Sequence, residues 1–290
     1  MKRYRTASGQ IFDVFNYIFL VIFTLIMVLP LVYVITGSFT SDAELAVKRI
    51  VFIPAEPTLE SYRYILSSGI IFKSFLNSIL ITVVGTAINI ILTVTTAYPL
   101  SRNIFGRRFL MKIIVFTMLF SGGMVPSYLL AKSLHLLNTY WSIWLPGAIS
   151  AYNLILIRSF FIDLPEEILD AAKIDGCSEM RILINIVIPL SLPALSAVGM
   201  FYLVGNWNAY FNALMYIDDM NMWPLQVWLR QIVILSQTGI DPNAVAGSFV
   251  MPPETSKLAV VCIAVVPILC VYPFLQKNFT KGVMLGSVKG

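Results

Sequence analysis

The sequence predicts an all-α integral membrane protein with six transmembrane helices, both termini in the cytoplasm, and a cytoplasmic helical segment between spans four and five. The first observation is composition. Of 290 residues, 58% are hydrophobic and 12% charged, and the mean hydropathy is +0.82, outside the range of soluble globular domains. The second is that apolar runs of about twenty residues, the length that crosses a bilayer as a helix, recur along the chain. The third is an uneven distribution of lysine and arginine among the connections, which sets orientation.

The runs cover residues 14–35, 75–98, 113–130, 141–157, 190–214 and 258–275. Buried helices of a large soluble protein would need far more polar residues to clothe the outside. The opening MKRYR, followed by an apolar run, has the order of a secretory signal. That run is too long for a signal core, and no small-x-small site follows it, so it reads as a retained first span. With the N-terminus inside, the inner segments hold thirteen of the 20 basic residues and the outer segments seven. A pI near 9.1 is then explained by lipid and needs no nucleic-acid partner. The chain reads as one membrane domain, residues 1–290, with long outer loops at 36–74 and 215–257 and one substantial inner connection at 163–189.

Little in this composition supports catalysis. The three cysteines, Cys177, Cys262 and Cys270, and the lone His135 show no metal-ligand spacing, so neither a metal nor a cofactor is expected on this chain. No GxxxxGK[ST] phosphate loop is present. The six runs contain no Asp, Glu, Lys, Arg or His, which leaves a proton- or sodium-coupled carrier without a relay and an enzyme without an acid–base pair.

The inner connection is the polar exception. In EEILDAAKIDGCSEM, Glu166–Met180, Pro165 suits a first helical position, and Glu166 and Glu167 suit the first turn. Leu164, Ile168 and Ala172 recur every four residues, as one stripe, while Ala171 and Ala172 are small enough for another surface to approach. Gly176 fits a left-handed helix end, and Ser178 can cap a second short helix that runs until IPLSLP turns the chain into the fifth run. A helix resting on lipid is the alternative. Against it, Glu166, Glu167, Asp170 and Asp175 outnumber the nearby bases, and anionic lipid would repel them.

The stretch LDAAKIDGCSEMRILINIVIPLSLPAL resembles the EAA motif of ABC-importer permeases, with Asp170, Ala171, Ala172, Gly176, Ile186 and Pro189 at the motif positions. Asp170 stands in place of the usual glutamate and Cys177 in place of the usual alanine. TAYPLSR and the closing QKNFTKGVMLGSVKG are similar to the carbohydrate-uptake branch, within it to the smaller of two paired permeases, and most to importers of plant and algal oligosaccharides. This resemblance implies a multi-pass permease in the cell membrane that forms half of a path for an oligosaccharide. A permease for another delivered solute, such as glycerol phosphate, is the alternative. It also implies a heterodimer with a second permease, an extracytoplasmic solute-binding protein, and two ATPase subunits that carry the ATP and Mg. The ATPase would be gripped through Glu167, Asp170, Ala171, Ala172, Asp175 and Gly176.

Three further sets of residues complete the expectation. The tail TKGVMLGSVKG reads as a flexible strand, and the resemblance places Met284, Gly286, Lys289 and Gly290 against the ATPase. In the fifth run, GNWNAYFNALMY puts Asn206 and Tyr210 on one helical side, and Trp207, Tyr210 and Phe211 on another. These residues suit a sugar path, but Trp and Tyr also gather at membrane interfaces and Asn also joins helices. Trp141 and Trp144 read as such interfacial residues. PLQVWLRQIVIL reads as a surface helix in the second outer loop. The resemblance implies that the turn-rich tip beyond it, with Gly239, Asp241 and Asn243, is the contact for the binding protein.

Overall fold

In the computed structural model, residues 7–48, 50–67, 69–238 and 254–286 are described, and they form helices and connections with no strand among them. The chain divides into two compact units, Met1–Gly69 with Gln231–Val265, and Ile70–Arg230 with Val266–Gly290.

The first unit begins with α1, Ala7–Ser38, followed by the short helices α2, Asp42–Lys48, and α3, Glu60–Ser67. Polar side chains join these to the start of the last helix, Glu254–Gly286. Ser61 donates to Thr255 Oγ1 at 2.9 Å, and the Thr255 hydroxyl donates to Asp42 at 2.8 Å. Within α1 the hydroxyls of Thr24 and Thr36 bond back to carbonyls one turn earlier, which hides them from an apolar solvent.

The second unit is organised on α4, Ile70–Ser101. After it come α5, Arg107–Leu119, α6, Met124–Ser133, α7, Trp141–Trp144, α8, Ala151–Ile162, α9, Glu166–Ile174, and α10, Glu179–Ile182. A π-helical stretch, Leu183–Val187, and α11, Ile188–Leu190, lead into α12, Leu192–Trp207, then α13, Tyr210–Tyr216, and α14, Leu225–Thr238. The core at one end of α4 joins Val94, Ala97 and Tyr98 to Leu154, Ile157 and Phe161 of α8 and to Val198 and Tyr202 of α12.

Among the described residues, three helices are long and apolar enough to cross a membrane: Phe12–Ser38, Ile70–Ser101 and Glu254–Val271. This differs from six uninterrupted spans. The third predicted span is the pair α5 and α6, bent by 116° where Gly122 and Gly123 interrupt the helix. The fifth belongs to a second bent pair, Glu179–Leu190 with Leu192–Trp207, at 83°, and this is the redirection expected at IPLSLP. The fourth is divided at Pro146 and Gly147 into α7 and α8, and the 12 residues of α8 extend only about 18 Å. Hydropathy averaged over twenty residues does not register two breakers in a row.

Candidate partner-docking segment and membrane-interior cluster

Helix α9 forms as its local sequence dictates. It starts at Glu166, with Pro165 at the cap one position earlier than expected, and Glu166 and Glu167 in its first turn. It ends in a Schellman arrangement. Gly176 N donates to Lys173 O and Cys177 N to Ala172 O, both at 3.0 Å, with Gly176 left-handed at φ +78°. Ser178 Oγ then accepts from Arg181 N at 3.4 Å and caps α10.

The helix has two unlike faces. Leu169 and Ala172 are buried in the core of the second unit, with Leu164 and Cys177 packed at its edge. The predicted stripe is therefore corrected: Ile168 is 43% exposed, and the inward step runs from Leu169 to Ala172. Ala172 serves the chain's own packing. The outward face carries Glu167, Asp170, Ala171 and Ile174, spaced i, i+3, i+4, i+7 and so on one side of a helix. Asp175 and Gly176 are exposed just beyond it. Ile174, which the sequence reading passed over, is 87% exposed. The Lys173–Asp170 pair, 3.3 Å apart with both partners exposed, adds little stability.

The candidate path residues do not share one helix. The chain leaves helical geometry at Asn208, whose backbone N–H and side-chain amide both turn back to Val204 O, and α13 restarts at Tyr210. The helical spacing from Asn206 to Phe211 is thereby broken, so the expected sides do not form. Asn206 points into the protein and donates to Asn89 Oδ1 at 2.8 Å and Thr86 Oγ1 at 3.2 Å. Trp207 is buried, edge-on to Phe75. Tyr210 is half-buried with the Arg230 guanidinium 4.8 Å from its ring centre, and Phe211 is exposed.

Asn206 belongs to a polar cluster that the sequence reading missed. Asn89 of α4 donates to Gly147 O at 3.1 Å and Ala148 O at 2.9 Å. These are carbonyls freed where Pro146 and Gly147 divide the fourth predicted span. Tyr202 OH accepts from Ser150 N at 3.0 Å and lies 2.7 Å from Thr93 Oγ1. Trp144 is buried and donates to Ile81 O at 3.1 Å, which corrects its reading as an interfacial residue; Trp141 is exposed. A broken span inside a membrane is tolerable only if its backbone groups find such partners. The signal was present in the sequence as polar residues on one side of α4.

The remaining candidates are quickly placed. Helix α14 is not a surface helix on all sides, because Leu225, Val227 and Trp228 are buried. Gly239, Asp241 and Asn243 lie outside the described residues, as do Lys289 and Gly290. Met284 and Gly286 are in the last helix, which continues to Gly286. The expected flexible strand starts no earlier than that, since no proline follows Pro273 and one interior glycine costs a helix only about 1 kcal/mol.

Residues 89–284 match the family model described as binding-protein-dependent transport system inner membrane component. The chain belongs to that family. It is 49% identical over 285 residues to the polygalacturonan/rhamnogalacturonan transport system permease protein YtcP of Bacillus subtilis (strain 168), covering 98% of this chain and 100% of that one. It is 30% identical over 274 residues to the arabinooligosaccharides transport system permease protein AraQ of Halalkalibacterium halodurans, covering 91% and 92%. A chain in the crystal structure of a bacterial ABC transporter involved in the import of the acidic polysaccharide alginate superposes with a TM-score of 0.87 at 31% identity, over 96% of this chain and 100% of the other. This protein is therefore a membrane-embedded permease component of an ABC import system, a transport part and not an enzyme.

Proposed function

We propose that this permease forms half of a translocation path for an oligosaccharide released from a polysaccharide, and that ATP hydrolysis on a separate subunit reaches it through α9. The carrying observation is the outward face of α9, where Glu167, Asp170, Ala171 and the exposed Ile174 stand beside the left-handed Gly176. An isoleucine so open next to a small alanine and flanking carboxylates suits a protein cleft better than water or anionic lipid. A second permease completes the path, an external binding protein delivers the sugar, and two ATPase subunits grip the paired α9 segments. Both termini and α9 face the cytoplasm, with the bent and divided segments making up six passes. Of the path candidates, Tyr210 and Phe211 offer aromatic surface to a sugar, whereas Asn206 and Trp207 hold the wall behind them. The permease pair is tested by reconstitution in vesicles with its ATPase and binding protein. Galacturonan oligosaccharides should stimulate ATP hydrolysis and accumulate inside. Stimulation by glycerol phosphate alone would overturn the sugar reading.

A further inference from the structure

A cavity of about 940 Å³ opens in the second unit where the ends of α4 and α8 meet the start of α5 and the flank of α9. Three arginines line it: Arg102, Arg107 and Arg158. Arg102 and Arg107 flank the α4–α5 turn and Arg158 comes from α8, and none has a carboxylate within ion-pair distance among the described residues. Two are anchored by one bond each to the frayed end of α4. Arg158 Nε donates to Leu100 O at 2.8 Å, and Arg107 Nη1 to Arg102 O at 3.2 Å. Arg102 lies 4.9 Å from the centre of the Tyr98 ring, and its Nη2 is buried with no hydrogen-bond partner.

A guanidinium has five N–H donors, so capping α4 uses only a fraction of what these three present. Burial, and after it the charge of Arg107, bear unfavourably on the Arg158 cation. Lys173 and three carboxylates, Glu166, Asp170 and Glu179, also line the cavity, but none of the three pairs with an arginine: Glu179 accepts from Tyr98 OH at 2.5 Å and Asp170 pairs with Lys173. The cavity thus holds converging donors, like charges in proximity and a buried unsatisfied N–H. That combination asks for an anion, and guanidinium forks match the oxygens of a phosphate.

The adjoining loop indicates where the phosphate comes from. Ile104 lines the cavity, and its neighbour Phe105 is 104% exposed, with exposed Phe109 and basic Arg108 close behind. An aromatic tip amid cations at the end of a membrane helix is the pattern of a segment that dips into the acyl boundary while its charges meet headgroups. We propose that this cavity seats the phosphate of an anionic phospholipid from the cytoplasmic leaflet, with Phe105 among its acyl chains. The lipid would brace the ends of α4 and α8 against the start of α5, held by the three arginines, while the α9 carboxylates, which repel anionic lipid, keep its headgroup off the docking face. This rests on the proposed placement of α9 at the cytoplasmic membrane face.

The test uses the assembled transporter purified into lipid nanodiscs, without sugar or ATP, with retained lipid read by native mass spectrometry. From an equal mixture, the wild type should keep phosphatidylglycerol in preference to phosphatidylcholine. Arg107→Gln should lower that preference about fivefold, and Arg107→Gln with Arg158→Gln about 25-fold. Co-purification of the second permease reports folding; if the double variant does not assemble, the wild-type preference and Arg107→Gln decide. Equal retention of the two lipids by the wild type overturns the proposal. Displacement of phosphatidylglycerol by millimolar inorganic phosphate would reassign the cavity to a free anion. Loss of the ATPase from Arg107→Gln with lipid retention unchanged would reassign it to an acidic partner surface. Because the readout needs no transport, failure here is separate from failure of the sugar reading.

Discussion

Helices α1 and α4 are both 32 residues long, and both contain a stretch that could cross a membrane, yet they meet their surroundings in opposite ways. The membrane-crossing part of α1 has a hydropathy of 3.0 with none of its most apolar window buried, whereas α4 has 2.1 with 28% buried. Much of what α4 buries is polar: Ser74, Asn77, Ser78, Thr82, Asn89 and Thr93 all lie on its inward side. Asn77 donates to Asn221 O and Trp223 O, Ser78 Oγ accepts from Leu225 N, and Asn89 holds the carbonyls of the divided fourth span. In lipid, apolarity gives helices no reason to associate; small and polar side chains do. The less hydrophobic helix is therefore the one around which a unit is built.

That contrast can be broken or sharpened by substitution. The largest effect is expected at Asn89→Leu, which strands Gly147 O, Ala148 O and Asn206 together. The cost should be about 2–3 kcal/mol, seen as a clear fall in the melting temperature of the purified permease pair. A melting temperature equal to wild type would mean that the carbonyls find other partners and that the polar side of α4 is not its packing side. A smaller loss is expected at Gly85→Ala, also on α4. The added Cβ would meet Asn206 Nδ2 and Trp144 Cδ1 at 3.0 Å, and both side chains are fixed by hydrogen bonds. Overpacking of about 1–3 kcal/mol is offset by up to about 1 kcal/mol of helix propensity, for a modest net destabilisation. The smallest effect belongs to Ile22→Ala on α1, exposed in this chain, with a change within about 0.5 kcal/mol. Loss of the second permease on purification of this variant would instead assign that face of α1 to a subunit interface.

The short helix, turn and second short helix of α9 and α10 were legible because their signals are local. Pro165, Gly176 and Ser178 each act on a backbone within a few residues, and the structure puts a cap, a left-handed end and a second cap there. The all-helical fold and membrane character were legible from composition for a similar reason. What was not legible depended on distant partners. The breaks at Gly122–Gly123 and Pro146–Gly147 vanish in a twenty-residue average, and what makes the second tolerable, Asn89, is 58 residues away. Asn206, Trp207, Tyr210 and Phe211 were grouped by a helical period that Asn208 interrupts. Trp144 was read by residue type, and only its bond to Ile81 O reveals a core position. The inward side of α9 was misjudged by one residue, because a four-residue step through Ile168 and a three-residue step through Leu169 to Ala172 fit the same short segment.

The most direct measurement concerns Gly176→Val. A Cβ there meets no atom within 4 Å, but the residue sits at φ +78°, so the substitution acts through the backbone alone, at roughly 1–2 kcal/mol or somewhat more for a β-branched side chain. That is too little to unfold a protein whose core draws mainly on α4, α8 and α12, and enough to turn the end of a helix of 9 residues and displace Ala171 and Ile174. Uptake of the oligosaccharide and co-purification of the ATPase should be measured on the same variant, with the second permease as an assembly control. The expected result is a normally assembled permease pair that retains its ATPase poorly and no longer takes up sugar. Full uptake with a firmly bound ATPase would contradict the assignment of α9 as the coupling segment.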